Sequence, residues 1–244
     1  VPEQGRSAPR VRIVEVQGDD TADAEAALAL IERVFPRADR YAPEDLRSEL
    51  EEKRRRLMPR SRSHLLVAKV GGEVVGTVYG TYLAGPNCGF VAYLAVRADH
   101  RRAGIAPRLR SRLVARFRAE ARRTGRPELA WTVGEVRRSS RWLLCLVGGR
   151  GALPLDFAYH RPGIDPSRER PPYVLYLEPV GEGVRALPPL LVQRILFAIY
   201  RTVYRVRYPL QHAGFRAMIQ ATEGRGAVGP DPEVMQKAGR AAGG

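Results

Sequence analysis

Apolar positions along this chain follow two periods, and the switching between them lays out a succession of strands and helices. Residues 12–16 alternate as a short strand. Across 21–35, Ala24, Leu28, Ile31 and Phe35 recur at helical steps, which predicts an amphipathic helix. Residues 43–58 predict a second helix with Pro43 near its start; Glu44 and Asp45 open it and Arg54, Arg55 and Arg56 close it, in the sense that suits the helix dipole. Ser63–Val70 and Glu73–Leu83, joined by Gly71-Gly72, read as a β-hairpin. A turn over 85–89 leads to a strand at 90–96. Ile105, Leu109, Leu113, Phe117 and Ala121 then mark a helix that ends near Gly125 and Pro127. Strands at 128–136, 153–159 and 173–178 follow, with helices at 137–147 and 190–206 and a polar excursion at 165–172. The two ends, 1–9 and 221–244, lack apolar periodicity and are expected to be flexible. That leaves a core at 10–160 and a C-terminal extension at 161–220 packed on it, an α/β chain with a mixed sheet flanked by helices.

Composition narrows the class. With 244 residues and 44% hydrophobic content, the chain buries a full core, which excludes disorder as its main description. No apolar run is long enough to span a bilayer, since Gln193, Arg194, Arg201 and Arg205 interrupt the greasiest late stretch. The polar N-terminus has no signal-peptide core. Cys88 and Cys145 are too few for a disulfide framework and do not cluster as a zinc site, so no metal is expected and a reducing, cytoplasmic setting fits. The net charge is +15, and only Lys53, Lys69 and Lys237 are lysines. Arginine-for-lysine bias accompanies abundant Ala, Gly and Pro and looks compositional. The charge itself still favours polyanionic partners.

Chemistry concentrates at 91–109, VAYLAVRADHRRAGIAPRL: an apolar strand, a basic turn holding Gly104, and at once a helix. In that order, exposed amides and the positive end of the helix dipole converge on an anion. Gly104 removes the Cβ that would block a phosphate, Ala106 keeps the next position small, and Pro107 suits a first helical turn. A glycine-capped β-to-α turn is the plain alternative. No Walker loop, dinucleotide fingerprint, G-x-S-x-G, His-x-x-x-His or Cys-x-x-Cys competes for the assignment.

Arg101-Arg102-Ala103-Gly104-Ile105-Ala106 fits R-x-x-G-x-A, and with the preceding LAVRADH the sequence resembles the GNAT superfamily of N-acetyltransferases over about residues 12–159. The resemblance implies a mixed sheet that splays between its fourth and fifth strands to admit coenzyme A. It implies that the backbone of Leu94, Ala95 and Val96 pairs with pantetheine amides. Arg102, Ala103, Gly104 and Ala106, around Ile105, would offer amides to the pyrophosphate, and Arg101 would brace the loop or a phosphate. The implied co-substrate is acetyl-CoA or another acyl-CoA. The implied reaction is direct attack of a neutral amine on the thioester, with a base for the amine proton and an acid for the leaving thiolate.

The sequence departs from the family where a tyrosine often serves as that acid: Val147 stands there. The strand at 90–96 also lacks a carboxylate, so Glu135, at the end of the next strand, is the candidate base; its plain alternative is a helix-start residue. Tyr79, Tyr82 and Tyr93 lie on neighbouring strands, and Tyr93 is the candidate proton donor, with strand packing as its alternative. His100 and His160 flank these positions. Arg137, Arg138 and Trp142 either shape the acceptor side or form a solvated basic face.

Between Arg97 and Arg126 eleven arginines face only Asp99 and Glu120. Coenzyme A accounts for part of that excess. The rest is either solvated surface or a footprint for a tRNA or acyl-carrier protein as donor, extended by residues 53–62 and by an Arg194, Arg201, Arg205 face. The leading expectation is an acyl-CoA-dependent N-acyltransferase for a small-molecule amine or amino acid. A tRNA- or carrier-dependent transferase and a degenerate, non-catalytic CoA-binding protein are the alternatives. No membrane partner is expected, and a homodimer is compatible with the extension.

Overall fold

A computed structural model describes residues 11–17, 20–40, 43–55, 57, 62–163, 173–181 and 183–242. The expected flexible N-terminus, the last residue of the second predicted helix and the 165–172 excursion lie outside them. Seven strands form a sheet in the order β1-β2-β3-β4-β5-β7-β6: β1 Arg12–Glu15, β2 Ser63–Val70, β3 Glu73–Leu83, β4 Cys88–Val96, β5 Trp131–Arg137, β6 Leu153–Pro154 and β7 Tyr173–Pro179. The helices are α1 Thr21–Val34, α2 Pro43–Arg54, α3 Ile105–Arg123, α4 Arg141–Arg150, α5 Pro189–Ala198, α6 Ala213–Thr222 and α7 Pro232–Ala242. The chain divides into two compact units. One runs to Gly80 and includes Ala92–Arg116; the other holds Thr81–Val91 and everything from Phe117 onward.

In the first unit α1 begins where the Asp20 carboxylate accepts the Asp23 amide at 3.2 Å, and stops at Phe35, whose backbone is extended. Its apolar stripe, Ala27, Leu28 and Ile31, packs with Leu46 of α2, Leu65 and Val67 of β2, Tyr79 of β3 and Tyr93 of β4. The β2–β3 turn needs its glycines: Gly71 and Gly72 have φ of 59° and 91°. β1 pairs antiparallel with β2, Arg12 opposite Lys69 and Glu15 opposite Leu66. Beneath this sits an ionic knot. Glu15 lies 2.6 Å from His64 Nδ1, 2.8 Å from an Arg116 guanidinium nitrogen and 4.0 Å from Lys53 Nζ, which ties β1 to β2, α2 and α3.

In the second unit β4 and β5 run parallel, Cys88–Phe90 against Trp131–Val133. Gly89 is required there by space: a Cβ would fall 1.9 Å from the Phe117 ring. β5 continues antiparallel to β7 along its whole length, and β6 pairs with Leu177 and Tyr176 of β7.

Several expectations shift. β5 starts at Trp131, because Glu128–Ala130 precede the ladder, and α4 starts at Arg141 behind the Ser140 cap rather than at 137. The 153–159 strand shortens to two residues, after which Leu155 bridges Pro230. The 190–206 helix ends as a π-helical turn, Ile199–Val203, so Arg205, with φ of 54°, falls outside it and the proposed one-sided Arg194, Arg201, Arg205 face does not form.

The largest correction concerns the tail. Residues 232–242 are helical and docked, with Val234 and Ala238 buried against Leu143, Val147 and Val174. Asp231 caps this helix through the Val234 amide at 3.1 Å and takes Arg138 at 2.5 Å. Only two buried side chains, Val234 and Ala238, carry its apolar stripe, too few for the periodicity to stand out from an Ala- and Gly-rich background.

Burial alone pushes the Glu15 carboxyl up, but the His64 hydrogen bond and the charges of His64, Arg116 and Lys53 outweigh it and hold it below its ordinary value. A lowered folded-state pKa means stabilisation present above the ordinary carboxylate range and lost as pH falls through the lowered value. Urea unfolding of Glu15→Gln is therefore expected to show a loss of about 1–3 kcal/mol at neutral pH, and the gap from the parent should close under acidic conditions.

Candidate functional site

The candidate loop is built by how β4 hands over to α3. Arg97, at the end of β4, donates its amide to the Val75 carbonyl at 2.8 Å, and its guanidinium holds Glu73 at 3.0 Å and Asp99 at 2.8 Å. Hydrogen bonds from Arg97 and then His100 hold the Asp99 carboxyl well below its usual range. A short turn, Ala98–His100, follows, and Arg101 Nε reaches back to the Val96 carbonyl at 3.4 Å, a bracing contact. The chain then takes two left-handed steps, Arg102 at φ 66° and Gly104 at φ 71°, with the helix starting at Ile105.

Arg101, Arg102, Ala103 and Gly104 are exposed, whereas Ile105 is buried. Its side chain and that of Leu109 lie 3.0 Å from where a Cβ on Gly76 would stand, so helix α3 rests directly on β3 backbone. Ile105 is thus an anchor. A Cβ built on Gly104 meets nothing within 4 Å, so the glycine is needed for backbone conformation and the space beside it is open. First-turn amides of a helix have no intrahelical acceptor, and left-handed residues turn loop amides toward them. Such an arrangement is able to hold an anion. Along β4, Ala95 is buried and Leu94 and Val96 are half-buried.

Tyr93 and Glu135 fare differently. The Tyr93 ring is packed in the first unit's core, edge-on to Phe35 at 5.3 Å, so its surroundings are those of a packing residue. Tyr79 belongs to the same core, and the Tyr82 hydroxyl donates to Asn87 at 2.9 Å within a turn.

Glu135 stands on β5 opposite Leu175 and gathers a constellation that the sequence spacing does not announce. Its Oε2 accepts hydrogen bonds from Tyr159 at 2.7 Å and Tyr204 at 2.5 Å, and its Oε1 lies 3.6 Å from Arg161 Nη1. The Arg161 guanidinium sits over the Tyr173 ring at 4.9 Å and the Tyr204 ring at 5.9 Å. The Glu135 side chain is 10% exposed. Tyr159 is fully buried and Tyr204 half-buried, so of the two hydroxyls bonded to this carboxylate the Tyr204 one is the more accessible. Tyr204 directly follows the π-helical turn, whose extra residue re-aims what comes after it. Neighbouring Tyr200 donates to the His160 carbonyl; burial, and then the Glu135 charge, push its pKa up.

The remaining candidates have structural partners. Val147 is buried against α7. The His160 amide donates to Met218 Sδ at 3.3 Å in the interior. Arg137 lies over the Tyr173 ring and Arg138 is bound to Asp231, so neither belongs to a solvated helix face as one sequence reading had it. A cavity of about 220 Å³ between α1 and α2 is lined by charges that pair among themselves, Arg47 with Glu25 and Arg54 with Glu51. Among the described residues, no three His, Cys, Asp or Glu are placed to hold a metal, and no helix is long and apolar enough to cross a membrane.

Residues 27–138, which contain the whole of the loop, match the acetyltransferase (GNAT) family. The chain carries a GNAT acetyltransferase domain. Solved structures agree on the fold of this domain. The ribosomal-protein-S18-alanine N-acetyltransferase of Escherichia coli aligns at 16% identity and a TM-score of 0.50, covering 72% of this chain and 97% of that one. A structure assigned to the GNAT family from Bacteroides thetaiotaomicron aligns at 16% identity and a TM-score of 0.52, covering 80% and 99%. Comparison with curated proteins finds no match. The family generally uses acetyl-CoA.

Because Gly104 has a left-handed backbone and a Cβ there meets no protein atom, Gly104→Ala is expected to lower stability by about 1 kcal/mol without a clash inside the fold. Thermal unfolding measures this.

Proposed function

We propose that this acetyltransferase moves an acyl group from a coenzyme A thioester to the primary amine of a small molecule or amino acid. The observation that carries the reading is the cradle at 101–106, in which two left-handed residues and a helix start coincide with exposed arginines. In this reading the amides of Arg102, Ala103, Gly104 and Ala106 hold the pyrophosphate, Arg101 braces the loop, and the β4 backbone at Leu94, Ala95 and Val96 pairs with the pantetheine arm. Transfer of the amine's proton falls to Glu135. Tyr204, which donates to that carboxylate, replaces the acid missing at Val147. The protons balance with one released to water: Glu135 takes the ammonium proton and passes it to solvent, the amine nitrogen bonds to the acyl carbon as the C–S bond breaks, the re-ionised Glu135 takes the second nitrogen proton as the amide forms, Tyr204 protonates the thiolate, and Glu135 returns its proton to Tyr204.

A tRNA or acyl-carrier donor draws its support from the arginine excess near α3. Part of that excess is compensated in the fold, Arg97 by Glu73 and Asp99, Arg116 by Glu15 and Arg123 by Glu120. That compensation favours coenzyme A.

Calorimetry with acetyl-CoA and a thiol-release assay over a panel of amines test the proposal. Glu135→Gln is expected to cut kcat by about 10²–10⁴ and leave acetyl-CoA affinity unchanged. Tyr204→Phe should lower kcat by roughly 10-fold or more and remove the alkaline limb of the pH profile. Absence of acetyl-CoA binding, or full turnover by Glu135→Gln, overturns it.

A further inference from the structure

Between residues 183 and 222 the sequence has six arginines and neither aspartate nor glutamate. The same stretch carries four large apolar side chains open to solvent: Leu190 at 57%, Phe197 at 44%, Tyr208 at 55% and Leu210 at 68%. Outside it the charge pattern is mixed and acids from distant segments compensate arginines. Here no acid stands among the arginines, although Glu182 and Glu223 flank the stretch at its two ends.

The structure joins these residues into one neighbourhood. Leu190, Arg194 and Phe197 stand at four- and three-residue steps on α5 and so share a face. The Phe197 ring meets Phe215 of α6 edge-on at 6.2 Å. Arg216, the next residue, donates to the carbonyls of Leu210 at 3.4 Å and Gln211 at 2.7 Å. Arg201, one turn beyond Phe197, donates to the carbonyls of Val206 at 3.2 Å and Arg207 at 2.7 Å. The Arg207 guanidinium lies 5.2 Å from the Tyr208 ring centroid. Arginines thus brace the 206–211 turn and set their charge beside its exposed Tyr208 and Leu210.

We infer that this face is a peripheral binding surface for an anionic lipid bilayer. Leucine, phenylalanine and tyrosine side chains interspersed with arginines suit the boundary between acyl chains and headgroups, where the apolar tips bury and the guanidiniums meet phosphate. The lack of carboxylates within 183–222 limits repulsion from the headgroups. A second copy docked through a two-fold axis would set these arginines against themselves. A nucleic acid would use the arginines but gain nothing from Leu190 and Leu210. A protein partner favours an apolar centre with a polar rim, whereas here the two are interleaved. The expectation of no membrane partner rested on the lack of a long apolar run, which excludes a helical span and does not bear on a peripheral face.

Co-sedimentation of the full chain with vesicles of phosphatidylcholine alone, or of phosphatidylcholine with phosphatidylglycerol, tests this. The protein is expected to partition to the anionic vesicles only. Leu210→Asp and Arg194→Glu should each weaken partitioning by about tenfold or more, with melting temperatures confirming that both variants fold. Arg122→Glu, an equal charge change on α3, should cost no more than about twofold. No partitioning to anionic vesicles overturns the inference. So does equal weakening by Leu210→Asp and Arg122→Glu, which means charge alone attracts the protein, or capture at this face of an acidic protein that vesicles do not displace.

Discussion

The candidate cofactor loop depends on one close approach, the seating of Ile105 and Leu109 on Gly76. Helix α3 comes down on bare β3 backbone, which fixes where its first turn stands and leaves 101–104 to close the distance from β4. That short closure forces left-handed backbone at Arg102 and Gly104. A glycine inside a strand ordinarily weakens it. Here the loss is offset by the burial of two large aliphatic side chains, and the exposed amides of the cradle follow from it.

In each unit a carboxylate gathers partners from distant parts of the chain. Around Glu15 the fold collects one acid and three basic groups from four elements, and around Glu135 it collects two hydroxyls and a guanidinium from segments far along the chain. A nearly buried carboxylate needs such company, because an unpartnered charge in that setting is costly. Satisfying it also orients it. The hydrogen bonds that make Glu135 tolerable in the interior are those that hand it a tyrosine with which to exchange protons in the proposed reaction.

The local charge count at α3 shows how far a linear reading reaches. Eleven arginines against two acids is a property of the sequence, but Glu15 and Glu73 come from elsewhere to meet Arg116 and Arg97. The 183–222 stretch runs the other way. There Arg201 and Arg216 bond to backbone carbonyls. A count of charges distinguishes neither case; only the positions of the acids do.

What the sequence alone determined was whatever depends on neighbours within a few residues. Helical and strand periods located α1, α3, the β2–β3 hairpin and β7, and the R-x-x-G-x-A run marked the loop together with the family, because a left-handed glycine at a strand-to-helix turn is a local requirement. Tertiary structure decided the rest. Tyr93 carries the same signature as any strand aromatic and is placed in the core by the cluster it shares with Leu28, Leu65 and Tyr79 and by the Phe35 ring. Tyr159, Arg161 and Tyr204 are unremarked tyrosines and an arginine until β5, β7 and the π-helical turn bring them to one carboxylate. The tail at 232–242 has two buried apolar side chains of its own, Val234 and Ala238, and folds because α4 and β7 supply the other side. Long-range pairing has no period to read, since the chain between partners leaves no trace in either residue's immediate sequence.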